Sequence, residues 1–222
     1  MKNISYEFIL RRLATILSVA IITLSLTAAI TGIMLSFYYE PVAGGAYQAL
    51  KRIDTELPNG LLIHSIHNIA GNGLIVIALI QIVVMFLGRQ FSTSWLTAWI
   101  SGIVLTLTGI GLGWTAMILD WDQVGFWRFR IELGTIEAIP AIGPTLRDIL
   151  TGGGAVNTTT VEHLYTIHSY LLSIAAVTLA IIHLWSLLRQ EKEMNTLAPM
   201  PSTGESYQGQ PGQTEAELIQ TH

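Results

Sequence analysis

The amino-acid sequence predicts an all-α integral membrane protein, a bundle of four spanning helices with interfacial helices between the third and fourth spans. Its 222 residues are 51% hydrophobic and only 12% charged, about half the charged share of an ordinary soluble domain. Four apolar segments each exceed the roughly 20 residues that a helix needs to cross a bilayer. His67 lies in the second segment, and His168 and His183 lie in the fourth. Because a polar ring that faces lipid is costly, these side chains are expected inside the bundle.

The positions of the spans follow from the apolar runs. The first run comes just after Arg11 and Arg12 and is too long for the core of a signal peptide, so it is expected in the mature protein. A short turn at residues 88–94 makes the second and third spans antiparallel neighbours. We predict a membrane domain over residues 1–194, with spans at residues 13–38, 60–87, 96–119 and 161–188.

Two segments outside the spans have distinct compositions. Residues 120–160 begin with a stretch that contains Trp121 and Trp127, which is typical of short helices at a membrane interface. Residues 195–222 are rich in Pro, Gly, Ser, Thr, Gln and Glu, and this composition predicts a disordered polar tail.

Basic residues indicate the orientation. If both termini and the turn at residues 88–94 lie on one side, that side has six Lys and Arg residues and the other has five. An excess of basic residues is typical of the cytoplasmic side. The termini are therefore predicted to be cytoplasmic, in a bacterial inner membrane or a thylakoid-type membrane.

Charge and cysteine content exclude several functions. The net charge of −4 comes without a basic stripe, which argues against nucleic-acid binding. Lipids, quinones and other membrane subunits are the expected partners. The absence of cysteine excludes a disulfide, an iron–sulfur cluster on this chain and a haem attached by thioether bonds. Histidine is the obvious remaining soft ligand.

The histidine spacings predict ligands at two depths of the membrane. His168 and His183 are 15 residues apart, which corresponds to about 22 Å along a helix and ring directions within about 60° of each other. The position 14 residues after His67 is Gln81. Two cofactors could therefore be served, one by a pair of histidines and the other by His183 with no histidine opposite.

Small residues repeat at a similar spacing on the other two spans. Ser18 and Gly32 are 14 residues apart, as are Gly102 and Ala116. Small side chains allow a flat macrocycle to approach the helix backbone, although they also simply pack helices together. In combination with the histidines, they favour two haem-sized clefts, one near each membrane face.

Four motifs in this order resemble the cytochrome b family. They lie at His64–His67, Trp121–Trp127, Glu137–Gly143 and Tyr165–His168, and His183 follows. The greatest similarity is to the split, four-helix form found in cytochrome bf complexes, over about residues 7 to 190. The resemblance implies a haem-binding electron-transfer subunit of a quinol-oxidising bc/bf-type complex, that is, of a quinol:cytochrome c or plastocyanin oxidoreductase in a respiratory or photosynthetic chain.

The resemblance also implies partners and residue roles. The partners are a quinol, a separate subunit with the remaining cytochrome b helices, an iron–sulfur protein and a c-type cytochrome, in a complex that forms a homodimer in this family. His67 and His168 match the axial ligands of the haem b near the positive side, with Gly32 and Ala116 against its faces. His183 matches one ligand of a second haem near the negative side. Ser18 and Gly102 lie near that second haem.

Gln81 departs from the family pattern, which usually has a histidine there. Three interpretations remain open: a satisfied polar residue in a bundle that has lost its second haem, a five-coordinate haem on His183, and direct ligation by Gln81. The first two have similar weight, and the third is remote because an amide oxygen is a poor ligand for haem iron.

Two further departures concern arginines that pair with haem propionates in the family and are His64 and His163 here. Histidine could still bind a propionate, but its charge depends on pH, which predicts a pH-dependent midpoint potential. The alternative for His64 is a polar interfacial residue without a cofactor contact. Ile16 replaces the cysteine that attaches an additional c-type haem in the bf subgroup, so that covalent haem is not expected.

Three functional classes follow. The first is the redox subunit of a bc/bf-type complex, and the second is a divergent single-haem cytochrome b paralogue in another membrane electron-transfer assembly. Gln81 favours the second. The third is a structural or assembly subunit, which the retained His67, His168 and His183 argue against.

Overall fold

The structure is a computed structural model and describes residues 6–88, 91 and 93–197. Four stretches of helix are long and apolar enough to cross a membrane. The predicted all-α membrane bundle is confirmed. Three spans are single helices, and the fourth is made of three consecutive helical pieces. In chain order the spans are α1 (Tyr6–Ser36), α3 (Gly60–Leu87), α4 (Leu96–Leu119) and the run of α7 (Thr158–Thr166), a π-helical segment (Ile167–Leu172) and α8 (Ser173–Leu197).

The outer surface of the bundle is apolar, as expected for contact with lipid. Large side chains such as Ile30, Ile69, Leu107 and Ile174 are exposed along the spans. The interior is lined by small residues, which allow the helices to pack closely. A central layer of the core contains Ile21, Leu74, Ala78, Leu105, Ala176 and Ala180. This layer separates the two depths at which the histidines lie.

Neighbouring spans pack in antiparallel pairs. Helix α1 packs along α3, and α4 packs along α8, while α1–α8 and α3–α4 contacts close the bundle. The hydroxyl of Tyr39, just beyond α1, donates to the Leu119 carbonyl at 2.8 Å. This bond joins α1 and α4 at the end of the bundle where the connecting helices lie.

Three shorter helices lie between the spans. Residues 120–160 contain α5 (Gln123–Glu137) and α6 (Gly143–Thr151), in the region predicted to form interfacial helices. The Asp122 carboxylate caps α5 by accepting from the Gly125 N–H at 2.7 Å, a common way to satisfy the first turn of a helix. Helix α2 (Ala46–Glu56) was not predicted, because its polar composition resembles a simple connection.

The fourth span contains the π-helical segment at His168. A π-helix closes i→i+5 hydrogen bonds, so one of its turns accommodates an extra residue. His168 and His183 are 15 residues apart, whereas the corresponding positions on α3 are 14 apart. The wider turn absorbs the additional residue and reduces the angular offset that an ideal α-helix would give.

Helix α8 continues through residues 195–197, where the predicted tail begins. The remainder of that tail, residues 198–222, lies outside the described residues.

Candidate functional site

His67 is held by three groups on the facing helix α1. Its Nδ1 lies 2.9 Å from the Ala28 carbonyl oxygen and 3.2 Å from the Thr31 hydroxyl. A Cβ atom on Gly32 would lie 3.0 Å from His67 Cε1, so the ring packs directly against the helix backbone. The absence of a side chain at Gly32 thus gives the imidazole room, and the backbone carbonyl orients it.

His183 is held in the same way by α4. Its Nδ1 lies 3.0 Å from the Ala98 carbonyl oxygen and 3.2 Å from the Ser101 hydroxyl. A Cβ atom on Gly102 would lie 2.9 Å from His183 Cε1. Each cradle therefore combines a small residue, the hydroxyl residue just before it and a carbonyl one turn earlier.

His168 has a related cradle further along α4. The Thr115 hydroxyl lies 2.8 Å from His168 Nδ1, and Thr115 directly precedes the small residue Ala116. All three retained histidines thus face a hydroxyl residue followed by Gly or Ala.

The cradle hydroxyls determine which ring nitrogen carries the proton. Thr31 donates to the Thr27 carbonyl at 2.7 Å, Ser101 to Thr97 at 2.7 Å and Thr115 to Gly111 at 2.8 Å. Because each hydroxyl proton is used within its own helix, the oxygen accepts from the imidazole Nδ1–H. Each Nε2 is then unprotonated and available as a ligand.

His67 and His168 face each other; we call this pair the His67 site. Their ring centroids are 6.3 Å apart, with an angle of 59° between the planes. Two imidazole–metal bonds of about 2 Å, together with the two ring radii, span roughly 6 Å. The pair is therefore spaced to ligate one iron from opposite faces of a haem.

The other half of the bundle has a different arrangement; we call Gln81 and His183 the His183 site. Gln81 Nε2 lies 3.1 Å from His183 Nε2, and both side chains are fully buried. The amide donates to the nitrogen that a metal would need. A metal between the two nitrogens would require about 4 Å, so this arrangement does not fit a haem iron.

Two buried polar atoms in this half lack a hydrogen-bond partner in the described part of the chain. They are the Ser18 hydroxyl oxygen and the Gln81 Oε1. The antiparallel register that brings Gly32 beside His67 places Ser18 level with Gln81, because each is 14 residues further toward the termini. Ser18 thus occupies the small position of a fourth cradle, but Leu17, which precedes it, has no hydroxyl.

His64 and His163 both make contacts with the protein. His64 Nδ1 lies 2.8 Å from Asp54 Oδ1, and His163 Nδ1 donates to the Ile149 carbonyl at 3.1 Å. His64 and Asp54 line an open cleft of about 320 Å³, together with Asp120 and Asp122. Partial burial raises the pKa of the Asp120 carboxyl, while His64 opposes this effect.

Sequence reasoning identified the histidines and the small residues but missed the hydroxyls. Thr31, Ser101 and Thr115 each stand one position before a predicted small residue, and this pattern was visible in the sequence. The described residues contain no group of three or more His, Cys, Asp or Glu side chains suited to a metal. A haem requires no such group, because its porphyrin supplies the other ligands.

Similarity to known proteins agrees with this site. A family model described as "Cytochrome b/b6/petB" matches residues 3–191. Cytochrome b6 of Mastigocladus laminosus is 31% identical over 160 residues, which are 72% of this chain and 74% of that protein. Cytochrome b6 of Tupiella akineta is 29% identical over 168 residues, 76% of this chain and 78% of that protein.

The fold has a counterpart among solved structures. A chain of a hyperthermophilic respiratory Complex III superposes with a TM-score of 0.63 and 21% identity, over 85% of this chain and 49% of that one. This chain thus spans about half the length of the Complex III chain. At this identity, the likeness supports the fold alone.

The fold and the His67 site define a class of protein, a membrane-spanning helical bundle that aims paired imidazoles at a metal between its helices. The chain belongs to the cytochrome b/b6 family. The predicted role is confirmed at this level: the protein is a haem-binding, integral membrane electron-transfer subunit of the bc/bf type.

Proposed function

We propose that the protein binds haem b at the His67 site, with His67 and His168 as the two axial ligands. The observation that carries this proposal is the 6.3 Å between the two ring centroids. Haem, when bound, supplies an iron that accepts and releases one electron. Gly32 and Ala116 are the small residues proposed to lie against its faces.

The residues of the chain orient the ligands for this task. Helix α1 holds the His67 ring through Ala28 and Thr31, and α4 holds the His168 ring through Thr115. Such outer hydrogen bonds determine the tautomer and raise the basicity of a ligating imidazole. His64 and His163 are proposed as residues near the haem propionates. The contact between His64 and Asp54 would then compete with a propionate.

We propose that the electrons come from a quinol and that the chain works with further subunits. The similarity to cytochrome b6 proteins supports a separate subunit with the remaining cytochrome b helices, together with an iron–sulfur protein and a c-type cytochrome. The termini are proposed to lie on the cytoplasmic side of a bacterial inner or thylakoid-type membrane. A dimeric complex is proposed on the same similarity.

A second candidate function is a single-haem cytochrome b in another membrane electron-transfer assembly. The bond of 3.1 Å between Gln81 and His183 favours it, because His183 then has no free ligand nitrogen for a second haem. Both candidates assign the same role to the His67 site.

Haem content of the purified protein tests the shared part of these proposals. We expect the pyridine haemochrome assay to find haem b in the native chain and almost none in His67→Ala or His168→Ala. Asn68→Ala is the matched control, since Asn68 neighbours His67 but is exposed. Full haem content in both histidine variants, with their folding verified by circular dichroism, would refute the His67 site.

A further inference from the structure

The two antiparallel helix pairs present four equivalent positions for a ring. His67 opposite Gly32 and His168 opposite Ala116 occupy the first two, and His183 opposite Gly102 occupies the third. Gln81, level with Ser18, occupies the fourth. Only this position differs in chemistry from the other three.

From this difference we infer that Gln81 determines the cofactor content of the His183 site and keeps haem out of it. The Gln81 amide donates to His183 Nε2 at 3.1 Å. This nitrogen is the remaining one on the ring, since Nδ1 is used by Ala98 and Ser101. The inference deepens the proposed function, because it assigns this chain a single redox centre, at the His67 site.

Burial makes the contact difficult to displace. Gln81 and His183 have relative exposures of 1% and 0%, so neither group can exchange its partner for water. Next to them lies a layer of the apolar core that includes Met85, one turn from Gln81, and Leu187, one turn from His183. A haem would have to break the hydrogen bond and also part this packed layer.

The cradle of His183 is nevertheless intact. Gly102 leaves room for the ring, and Ala98 and Ser101 orient it as their counterparts orient His67. The site therefore has one oriented ligand and lacks the other. A histidine in place of Gln81 would supply the missing imidazole and would face Ser18, whose hydroxyl oxygen has no partner within the described residues.

The inference has a consequence for the electron path. His168 and His183 lie about 22 Å apart along the fourth span, as estimated from 15 residues of helix. With one haem at the His67 site, the chain has no second centre at the end that carries the termini. Electrons then enter and leave at the end of the bundle that carries α2, α5 and α6.

The test is to install the missing ligand in the full chain. We expect one haem per chain in the native protein, unaffected by carbon monoxide, and two in Gln81→His. The second haem should disappear when His183→Ala is added. A companion variant, Gln81→His with Leu17→Thr, completes the fourth cradle with a hydroxyl before Ser18. One haem in both variants, in folded protein, would overturn the role of Gln81.

Native protein provides an independent readout that needs no new site. Single His183→Ala should retain all of the haem, whereas two haems in the native chain, one of them binding carbon monoxide, would overturn the inference and leave the His67 site standing. Haem lost in His183→Ala but retained in His67→Ala would instead refute the proposed function itself. The two failures are therefore distinguishable.

Discussion

The His67 site and the His183 site have the same type of cradle but a different group opposite the ring. In both, a carbonyl and a hydroxyl from the neighbouring helix hold Nδ1, and a glycine gives the ring room. Across the His67 site stands a second imidazole, at a centroid distance of 6.3 Å. Across the His183 site stands an amide, 3.1 Å from the ligand nitrogen.

This difference shows that orienting a ligand and forming a metal site are separate properties of the fold. The cradle is built by one helix facing the histidine, whereas ligation needs a second side chain from another helix. A single residue, Gln81, can thus remove a site and leave its supporting structure in place. Changes that affect both cradles equally should therefore affect haem binding at only one of them.

The largest effect is expected when a side chain is added at the cradle glycines. Gly32→Val should eliminate most haem binding, because even its Cβ would lie 3.0 Å from His67 Cε1. Gly102→Val is the matched change, with a Cβ 2.9 Å from His183 Cε1. It should destabilise the bundle but leave haem in the folded fraction. Haem per folded chain distinguishes the two, and equal loss in both would contradict the proposed difference.

A smaller effect is expected when a cradle hydroxyl is removed. Thr115→Val should weaken haem retention about 10–100-fold, as is usual for the loss of a group that orients a ligand. Thr106→Val is the matched control, since both threonines bond to their own helix at 2.8 Å but Thr115 also contacts His168. Ser101→Ala should leave haem retention unchanged. Competition for haem by apomyoglobin measures all three, and equal retention in Thr115→Val and Thr106→Val would contradict the role of the hydroxyl.

The smallest effect concerns pH and His64. A protonated His64 would favour the reduced haem, which carries one more negative charge, so the midpoint potential should fall as pH rises. The slope cannot exceed about 59 mV per pH unit for one proton and one electron. His64→Gln should flatten this slope, whereas His163→Gln, whose ring bonds to the Ile149 carbonyl, should change it less. Redox titrations between pH 6 and 8, about the range in which histidine changes charge, would contradict the role of His64 if the slope persisted in His64→Gln.

The fold was largely predictable from the sequence because membrane spans leave a strong signal. Long apolar runs identified all four spans, and the cost of burying histidine in lipid identified the ring positions. Helix α2 was missed because a short amphipathic helix has no comparable signal. The three cradle hydroxyls could have been found from their place before each small residue.

By itself, the sequence determined the number of spans, the candidate ligands and the absence of a histidine opposite His183. These features depend on residue type and spacing along one helix. The tertiary structure decided the rest, because the rest depends on atoms from different helices. It brought His67 and His168 to a spacing suited to a metal, and it absorbed the extra residue before His183 in a π-helical turn at Ile167–Leu172. It also placed the Gln81 amide against His183 Nε2, a contact between residues 102 positions apart in the chain.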